Sequence, residues 1–263
     1  MRLTSVSHHT QSLLQPLPFA LNDLDSCPIR FCFRTMSNHS NAESEAPVIV
    51  RLAKTTDIPA IARCWYHAFF DDVVIGEIMH PFRKDYPDDV YYFLLRGIRE
   101  RYFDWSHRFV VATVNDRVVG AAEWRRLGND TNALQLWRFD PRNIISPAIS
   151  FWNSLSLKLY PNRAADPTRS SYLDAAVDGS AHHWTGDRAE CWDLHICGVH
   201  PDWQGKGVGK KVVAWGTARA DEEGVCCSVI TGETKRAFYA KSGFVGDGKL
   251  GGQGIILFRA PVA

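Results

Sequence analysis

The sequence lacks several features that mark specialised classes of protein. No apolar run approaches the roughly eighteen residues that a membrane-spanning helix needs, so nothing indicates an integral membrane protein. The net charge of +1 at pH 7 gives no electrostatic footprint for nucleic acid or for an anionic membrane surface. The 45% hydrophobic and 22% charged residues are ordinary for a globular protein, and 263 residues allow one large domain or two small ones.

Cysteine is present, but its arrangement excludes two common uses. The seven cysteines have no C-x-x-C spacing among them and are Cys27, Cys32, Cys64, Cys191, Cys197, Cys226 and Cys227. An odd number with this spacing argues against a disulfide framework and against a zinc ribbon, and no other motif supports a metal site. Free thiols favour a reducing compartment, so we expect a cytoplasmic protein.

The N-terminal segment differs in composition from the rest of the chain. Residues 1–47 are rich in Ser, Asn, His, Pro and Thr, and we expect a disordered tail there. Acidic residues are scarce before Met36, while Arg2, Arg30 and Arg34 are present, so organelle targeting is one alternative. Another alternative is that translation starts at Met36. We expect the folded domain to comprise residues 48–263.

One stretch, Glu190 to Lys211, combines a strand, a glycine-rich loop and the start of a helix. A strand-like run ends at the turn His200-Pro201-Asp202, and the apolar residues Val208, Val212 and Trp215 then follow at helical spacing. Glycines let the backbone curl so that several N–H groups point in one direction, and the helix dipole adds partial positive charge. The stretch therefore predicts an anion-binding site.

The spacing of the glycines excludes two common phosphate-binding loops. A P-loop has four residues between its first glycine and Gly-Lys-Ser/Thr, and this spacing is absent. The dinucleotide fingerprint also fails, because Lys210 stands where its third glycine is required. The pattern that fits is Gln204-x-x-Gly207-x-Gly209. Further along, residues 238–244 have the form F-Y-x-K-x-G-F.

These two motifs, in this order, resemble the two signatures of the GNAT superfamily of N-acetyltransferases. The resemblance is strong from Glu190 to Gly246 and extends more weakly back to Val48. It implies an α/β fold with a mixed, mostly antiparallel sheet, splayed core strands and flanking helices. It also implies acetyl-CoA as the acyl donor, whose pyrophosphate the loop cradles through Gln204, Gly205, Lys206, Gly207, Val208, Gly209 and Lys210. A flexible turn without a ligand is the alternative for this loop.

The resemblance implies further roles on the core strand and on the second signature. GNAT folds hold the oxyanion and the pantetheine arm with backbone N–H groups of the core strand, which here correspond to Cys197, Gly198 and Val199. A glycine inside a strand independently suggests a bulge or a close backbone approach. The signature tyrosine is Tyr239, which in the superfamily donates to the CoA sulfur. A tyrosine that only packs in the core is the alternative.

Three residues are candidates for the general base. Alternation along the strand predicts one face that contains Cys191, Asp193, His195, Cys197 and Val199. If that face lines the cleft, Asp193 and His195 are neighbours beside the reacting amine. Histidine suits proton uptake at neutral pH, and the arylalkylamine N-acetyltransferase branch has a similar strand histidine followed by Val-His. Glu190, acting through water, is an alternative base, and a half-buried structural role is the alternative for His195.

The remaining sequence predicts the elements around this site. We expect a strand at 48–52, a helix from Ile58, a helix from about Asp88 to Phe103, and a hairpin that turns at Asn115-Asp116. Residues 127–188 are an insertion of about sixty residues, with expected helices at 144–159 and 170–177. Its aromatic residues indicate packed structure, either as helices over the sheet or as a lid on the acceptor pocket. Residues 246–254 are expected to be a mobile turn.

We therefore predict a GNAT N-acetyltransferase that moves an acetyl group from acetyl-CoA to a primary amine of a small molecule. Transfer is direct within a ternary complex, so Cys197 need not act as a covalent nucleophile. The alternatives are an acetyltransferase for protein lysines or N-termini, and a catalytically silent acyl-CoA-binding module. The sequence leaves the acceptor and the oligomeric state open, with a homodimer among the alternatives, and indicates no nucleic-acid or membrane partner.

Overall fold

Seven strands and five α-helices follow one another in the part of the chain that the computed structural model describes, residues 46–128, 140–169, 179–249 and 254–262. The strands are β1 (Ile49–Leu52), β2 (His107–Val114), β3 (Arg117–Leu127), β4 (Cys191–Val199), β5 (Cys226–Gly232), β6 (Val245–Lys249) and β7 (Gly254–Arg259). The helices are α1 (Ile58–Phe69), α2 (Pro87–Tyr102), α3 (Arg142–Leu159), α4 (Val208–Glu223) and α5 (Arg236–Ala240). None of the helices in these described ranges is long and apolar enough to cross a membrane.

The strands form one sheet in the order β1-β2-β3-β4-β5-β7-β6. Every neighbouring pair is antiparallel except β4 and β5, which run parallel. The β4–β5 connection contains α4, as a parallel crossover requires. The predicted α/β fold with a mixed, mostly antiparallel sheet is thus confirmed.

The hairpin between β2 and β3 turns where the sequence predicts it. Asn115 and Asp116 both have positive φ, at 47° and 62°, and Val114 pairs with Arg117 across the turn. Asn and Asp tolerate this left-handed backbone better than most other residues, which is why a two-residue hairpin forms here.

Helices cover both faces of the sheet and create two apolar cores. On one face the buried ring of Trp124 lies against Gly216 of α4, where an added Cβ would come within 2.1 Å of the ring. On the other face α1 and α2 pack over β2 and β3, and the Trp65 indole donates to the Ala121 carbonyl at 3.2 Å. The two tryptophans therefore fix the distances of α4 and α1 from β3.

A β-bulge at His195 and an early end to strand pairing shape the middle of β4. Glu123 pairs with Ile196 while Trp124 pairs with Leu194, which leaves His195 as an extra residue in β4. The pairing of β4 with β5 stops at Leu194, so among the described residues β4 has no strand partner on its β5 side beyond that point. The predicted splay of the core strands is therefore present.

The bulge makes the predicted alternation along β4 wrong. Cys197 and Val199 pack in the core beneath α4, together with Leu194, whereas Ile196 packs in the core beneath α1 and α2. The extra residue at the bulge reverses the alternation, so Cys197 and Val199 do not share a face with Cys191.

The insertion contributes α3, which confirms the helix expected at 144–159. This helix packs on α2. The Asn153 amide donates to the Arg96 carbonyl at 3.0 Å, and the Ser150 hydroxyl donates to Glu100 at 2.7 Å. Phe151 and Trp152 are exposed, so these aromatic residues do not form the packing that was expected of them. The helix expected at 170–177 falls outside the described residues.

Two expectations about chain segments have different outcomes. Residues 246–249 belong to β6 and pair with β7, so the expectation of a mobile turn from residue 246 was wrong. Residues 1–45 and 250–253 lie outside the described part of the chain, as do the expectations made for them.

Candidate active site

The glycine-rich loop after β4 is held at its entry by contacts with the strand. The backbone N–H of His200 donates to the Val119 carbonyl at 2.9 Å, and the Gln204 amide donates to the Val199 carbonyl at 3.0 Å. Trp203 is buried, and the Lys206 ammonium lies 4.7 Å from the centre of its ring. The side chains of Gln204 and Lys206 therefore position the loop.

The loop leads into α4, and within the described part of the chain no side chain caps the first turn of this helix. Gly205 and Gly207 have φ values of 74° and 79°, and an added Cβ at either would meet no atom of the described residues within 4 Å. Gly207 is the N-cap residue of α4 and offers no side-chain oxygen to Val208, Gly209 or Lys210, so no side-chain cap forms. Convergent backbone donors at the start of a 16-residue helix suit a diphosphate group.

At the third glycine of the loop, Gly209, there is little room for a side chain. A Cβ at Gly209 would come within 3.1 Å of the Phe238 ring, which belongs to the second motif. The two motifs predicted to act together are therefore in contact at this point.

The strand segment Cys197-Gly198-Val199 lies beyond the last residue pair between β4 and β5. An added Cβ at Gly198 would come within 2.6 Å of Trp65 and 2.9 Å of Phe69 in α1, so the predicted close approach at this glycine is real. The bulge lies at His195, three residues earlier. The Cys197 thiol is neutral near pH 7, because burial raises its pKa to about 12.

Tyr239 in α5 is buried, and its ring lies 5.8 Å from that of Phe244. Burial raises the pKa of its phenol well above the ordinary value of 10, and the nearby Cys197 thiol adds to the effect. The phenol therefore keeps its proton at neutral pH and can act as a donor.

His195 is exposed at the bulge, and protein surrounds it closely enough that desolvation lowers the pKa of its imidazole. The buried carboxylate of Glu123 opposes this shift and favours the protonated ring. The His195 and His107 rings lie 6.0 Å apart and nearly perpendicular. An imidazole with a lowered pKa is mostly neutral at pH 7 and can accept a proton.

Asp193 is buried and its carboxylate is already engaged. Its Oδ1 accepts a hydrogen bond from the Ser228 hydroxyl at 2.7 Å, and its Oδ2 lies 3.4 Å from the Arg125 guanidinium. The Trp184 indole also donates to the Ser228 hydroxyl at 3.0 Å. Leu194 alone lies between Asp193 and the bulged His195 in β4, so the two residues are close along the strand.

Glu190 stands apart from the other candidates. Its carboxylate pairs with Arg126 at 2.7 Å, and Arg126 also pairs with Glu223 of α4 at 2.9 Å. Glu190 lies five residue steps before His195 along the chain, which is about 16 Å for an extended strand.

Sequence reasoning missed a buried charge network next to His195. Glu123 is fully buried, and it accepts hydrogen bonds from the Arg101 guanidinium at 2.6 Å and 3.0 Å and from the His107 ring at 2.7 Å. Arg101 lies in α2 and His107 begins β2, so the network joins three elements. A carboxylate between apolar residues in β3 was the available signal, because buried carboxylates in proteins are usually paired.

Comparisons with known proteins agree with this arrangement. Residues 172–246 match a family model described as an acetyltransferase (GNAT) domain. No curated protein matches the chain. Among solved structures, a histone acetyltransferase HPA2 and related acetyltransferase from Corynebacterium glutamicum is 18% identical, with a TM-score of 0.52 over 82% of this chain and 97% of that one.

Two other solved structures are similar at lower scores. The PaiA N-acetyltransferase from Thermoplasma acidophilum, in complex with coenzyme A, is 11% identical with a TM-score of 0.48, over 81% of this chain and 99% of that one. A polyamine N-acetyltransferase from Drosophila melanogaster is 15% identical with a TM-score of 0.49, over 81% of this chain and 100% of that one. The family match covers the loop and both motifs, so residues 172–246 are similar to an acetyltransferase (GNAT) domain, and the Corynebacterium glutamicum structure supports the same fold.

Proposed function

We propose that the chain transfers an acetyl group from acetyl-CoA to a primary amine of a small molecule, by direct transfer in a ternary complex. The observation that carries the proposal is the gap between β4 and β5, which has the uncapped start of α4 at one end and the bulged His195 at the other. Acetyl-CoA, when bound, supplies the thioester that the amine attacks.

The loop and the helix start are suited to hold the pyrophosphate. We assign this role to the backbone N–H groups of residues 204–210, because the positive φ at Gly205 and Gly207 curls the backbone and the first turn of α4 has no side-chain cap. The backbone of Cys197 to Val199, which pairs with β3 but lies beyond the residues that pair with β5, is assigned to the pantetheine arm and to the oxyanion.

We assign the general base to His195. An exposed imidazole with a lowered pKa is neutral at pH 7, and it can take the proton that the attacking ammonium must lose. Asp193 is assigned a positioning role, since its carboxylate is buried against Ser228 and Arg125. The distance along β4 leaves Glu190 out of the proposed mechanism.

We assign the general acid to Tyr239. Its buried phenol remains protonated, and it lies near Cys197 on the segment assigned to the pantetheine arm. Donation to the departing thiolate would complete the transfer without a covalent enzyme intermediate. The raised pKa of the Cys197 thiol supports the same conclusion, because a neutral thiol is a poor nucleophile.

The contacts that hold the loop between α1 and α2 in place favour a small-molecule acceptor substrate over a peptide. The loop between α1 and α2 contains the fully buried His80, whose ring contacts the Ile75 carbonyl at 2.6 Å and the Asn162 amide at 3.1 Å. The backbone N–H of Phe82 donates to the Ala164 carbonyl at 3.1 Å. The insertion thus fixes the loop that lines the acceptor cleft in GNAT folds, and a fixed wall favours a defined small-molecule pocket.

The test is thiol release from acetyl-CoA with a panel of small amines and a lysine-containing peptide. Wild type should acetylate at least one small amine, Tyr239→Phe should lower kcat about 10- to 100-fold, and His195→Ala about 100-fold or more. His182→Ala is the control, because His182 is an exposed histidine in the loop before β4. Turnover of the peptide alone would contradict the small-molecule acceptor, and full activity of His195→Ala would contradict the base.

A further inference from the structure

The insertion helix α3 carries its apolar side outward. Six residues form a stripe along it, which we call the α3 stripe: Ile144, Ala148, Phe151, Trp152, Leu155 and Leu159. At 100° per residue they fall within about 100° of the helix circumference and extend about 22 Å along its axis. All six are exposed, with Ile144 at 78%, Phe151 at 72% and Trp152 at 59%.

The polar side of α3 faces the body of the domain. Asn153 is the buried residue of the helix and donates to the Arg96 carbonyl, while Ser150 donates to Glu100. Arg96 donates to the Tyr160 carbonyl at 2.8 Å and contacts the Ser156 hydroxyl at 3.4 Å. The usual orientation of an amphipathic surface helix is therefore reversed, and contacts with α2 do not account for the stripe.

The spacing of the stripe is the same from either end. Successive members are 4, 3, 1, 3 and 4 residues apart, and this list of spacings is identical when it is read from the C-terminal end of the helix. Across a two-fold axis at Phe151 and Trp152, two antiparallel helices would pair Ile144 with Leu159 and Ala148 with Leu155. A patch with this property is complementary to itself, as a two-fold symmetric interface requires.

We propose that the α3 stripe is the surface through which two copies of this chain associate, with their α3 helices antiparallel. The proposal does not depend on the proposed acetyl transfer. Small Ala148 opposite Leu155 would let the helices approach closely, and the two aromatic rings would lie at the centre, where interface residues contribute most.

The size of the stripe supports a second copy as its partner. Its exposed area is on the order of 600 Å² per chain, at the top of the range for the largest apolar patch on a monomer and near the 800 Å² per partner of a standard interface. The stripe contains no charged residue, which is typical of the core of an interface.

The charges on α3 favour a protein partner over a membrane surface. A helix that lies on anionic lipid usually has several lysines or arginines beside its apolar face. The basic residues of α3 are Arg142 and Lys158. Arg142 is already held by Asp140 at 3.0 Å and lies 3.5 Å from the centre of the Trp105 ring.

The test is the oligomeric state of the full chain by sedimentation velocity over a range of concentrations. Wild type should be a dimer, and Leu155→Glu should raise the dimer dissociation constant about 100-fold or more, because it buries a charge at the interface. Leu157→Glu is the matched control, since Leu157 is 48% exposed against 40% for Leu155 but lies about 160° away around the same helix. This control should change the constant by less than about threefold.

A charge-pair experiment tests the antiparallel register. Ala148→Lys alone and Leu155→Glu alone should both be monomeric, while an equimolar mixture should form heterodimers, because the introduced ammonium and carboxylate would then face each other. A monomeric wild type at about 100 μM would overturn the proposal, as would equal effects of Leu155→Glu and Leu157→Glu. Monomeric wild type that binds phosphatidylcholine vesicles through the stripe would assign the surface to lipid and overturn it too.

Discussion

Replacing Glu123 with glutamine is expected to destabilise the domain in a way that depends on pH. The change keeps the volume of the side chain but removes a fully buried charge between Arg101 and His107. The Arg101 guanidinium then loses its carboxylate partner, although its side chain is 29% exposed and keeps some solvent contact. Breaking a buried pair from one side is usually costly, because the remaining charge is left without compensation.

The pKa of Glu123 sets the size and the pH range of this effect. Despite burial, which acts to raise it, the pKa of Glu123 falls from 4.5 to about 2, because Arg101 and His107 stabilise the carboxylate. A shift of this size corresponds to about 3 kcal/mol of folding free energy at neutral pH. Since the folded state has the lower pKa, the contribution is complete above pH 4.5 and is lost as the pH falls from 4.5 towards 2.

Urea unfolding at pH 7 and pH 3 measures the effect directly. At pH 7 the Glu123→Gln variant should be less stable than wild type by about 2–3 kcal/mol, which is roughly 5–10 °C in Tm for a domain of this size. At pH 3 the difference should shrink by about half. The control is Glu223→Gln, which removes a carboxylate that is 34% exposed and leaves Arg126 its second partner, Glu190.

The same variant tests whether the network acts on the proposed base. The negative charge of Glu123 raises the pKa of His195, so its removal should move the acidic limb of the pH profile of kcat/KM to lower pH. Glu223→Gln should leave that limb in place. A Glu123→Gln variant that loses equal stability at both pH values, and that keeps the wild-type pH profile, would refute the reasoning.

Three further predictions concern packing, a second titrating group and the reaction path. Gly216→Ala should destabilise the protein by about 1–3 kcal/mol in thermal unfolding, because the new methyl group meets the Trp124 ring, whereas this change in an unobstructed helix stabilises by about 1 kcal/mol. Burial lowers the pKa of His80 from 6.5, so wild type should lose stability as the pH falls below 6.5, when the unfolded chain takes up the proton first. His80→Gln, measured from pH 7.5 to 5.5, should show a smaller loss, because His195 and His200, whose pKa values are also lowered, still contribute. Cys197→Ala should keep its thiol-release rate within about tenfold of wild type, and a loss of more than a thousandfold would indicate covalent catalysis.

The parts of the fold that the sequence predicts well are those with local signals. Asn115-Asp116 predicts a two-residue hairpin because few other residues accept positive φ, and the glycines before Val208 predict the start of α4 for the same reason. Helical spacing predicts α3 itself, with bounds within two residues. Each of these features depends on neighbours in sequence.

The features that the sequence did not predict depend on residues far apart in the chain. The bulge at His195 arises from how β4 pairs with β3, and it reverses the alternation that Cys197 was expected to follow. The partners of Glu123 come from α2 and β2, so their convergence requires the tertiary structure. The orientation of α3 is also a tertiary property, since its apolar pattern alone predicts burial of the side that is exposed.

Binding of acetyl-CoA by isothermal titration calorimetry tests the central claim most directly, with Gly207→Asp and Gly207→Asn beside wild type. Both side chains tolerate the positive φ at this position, no atom in the part of the chain that the structure describes lies within 4 Å of the added Cβ, and the two variants differ mainly in charge. Wild type should bind, Gly207→Asn should bind within about tenfold of it, and Gly207→Asp about 100-fold or more weakly, because its carboxylate repels the pyrophosphate. Equal affinity of the two variants, or no binding by wild type, would contradict the assignment of this loop.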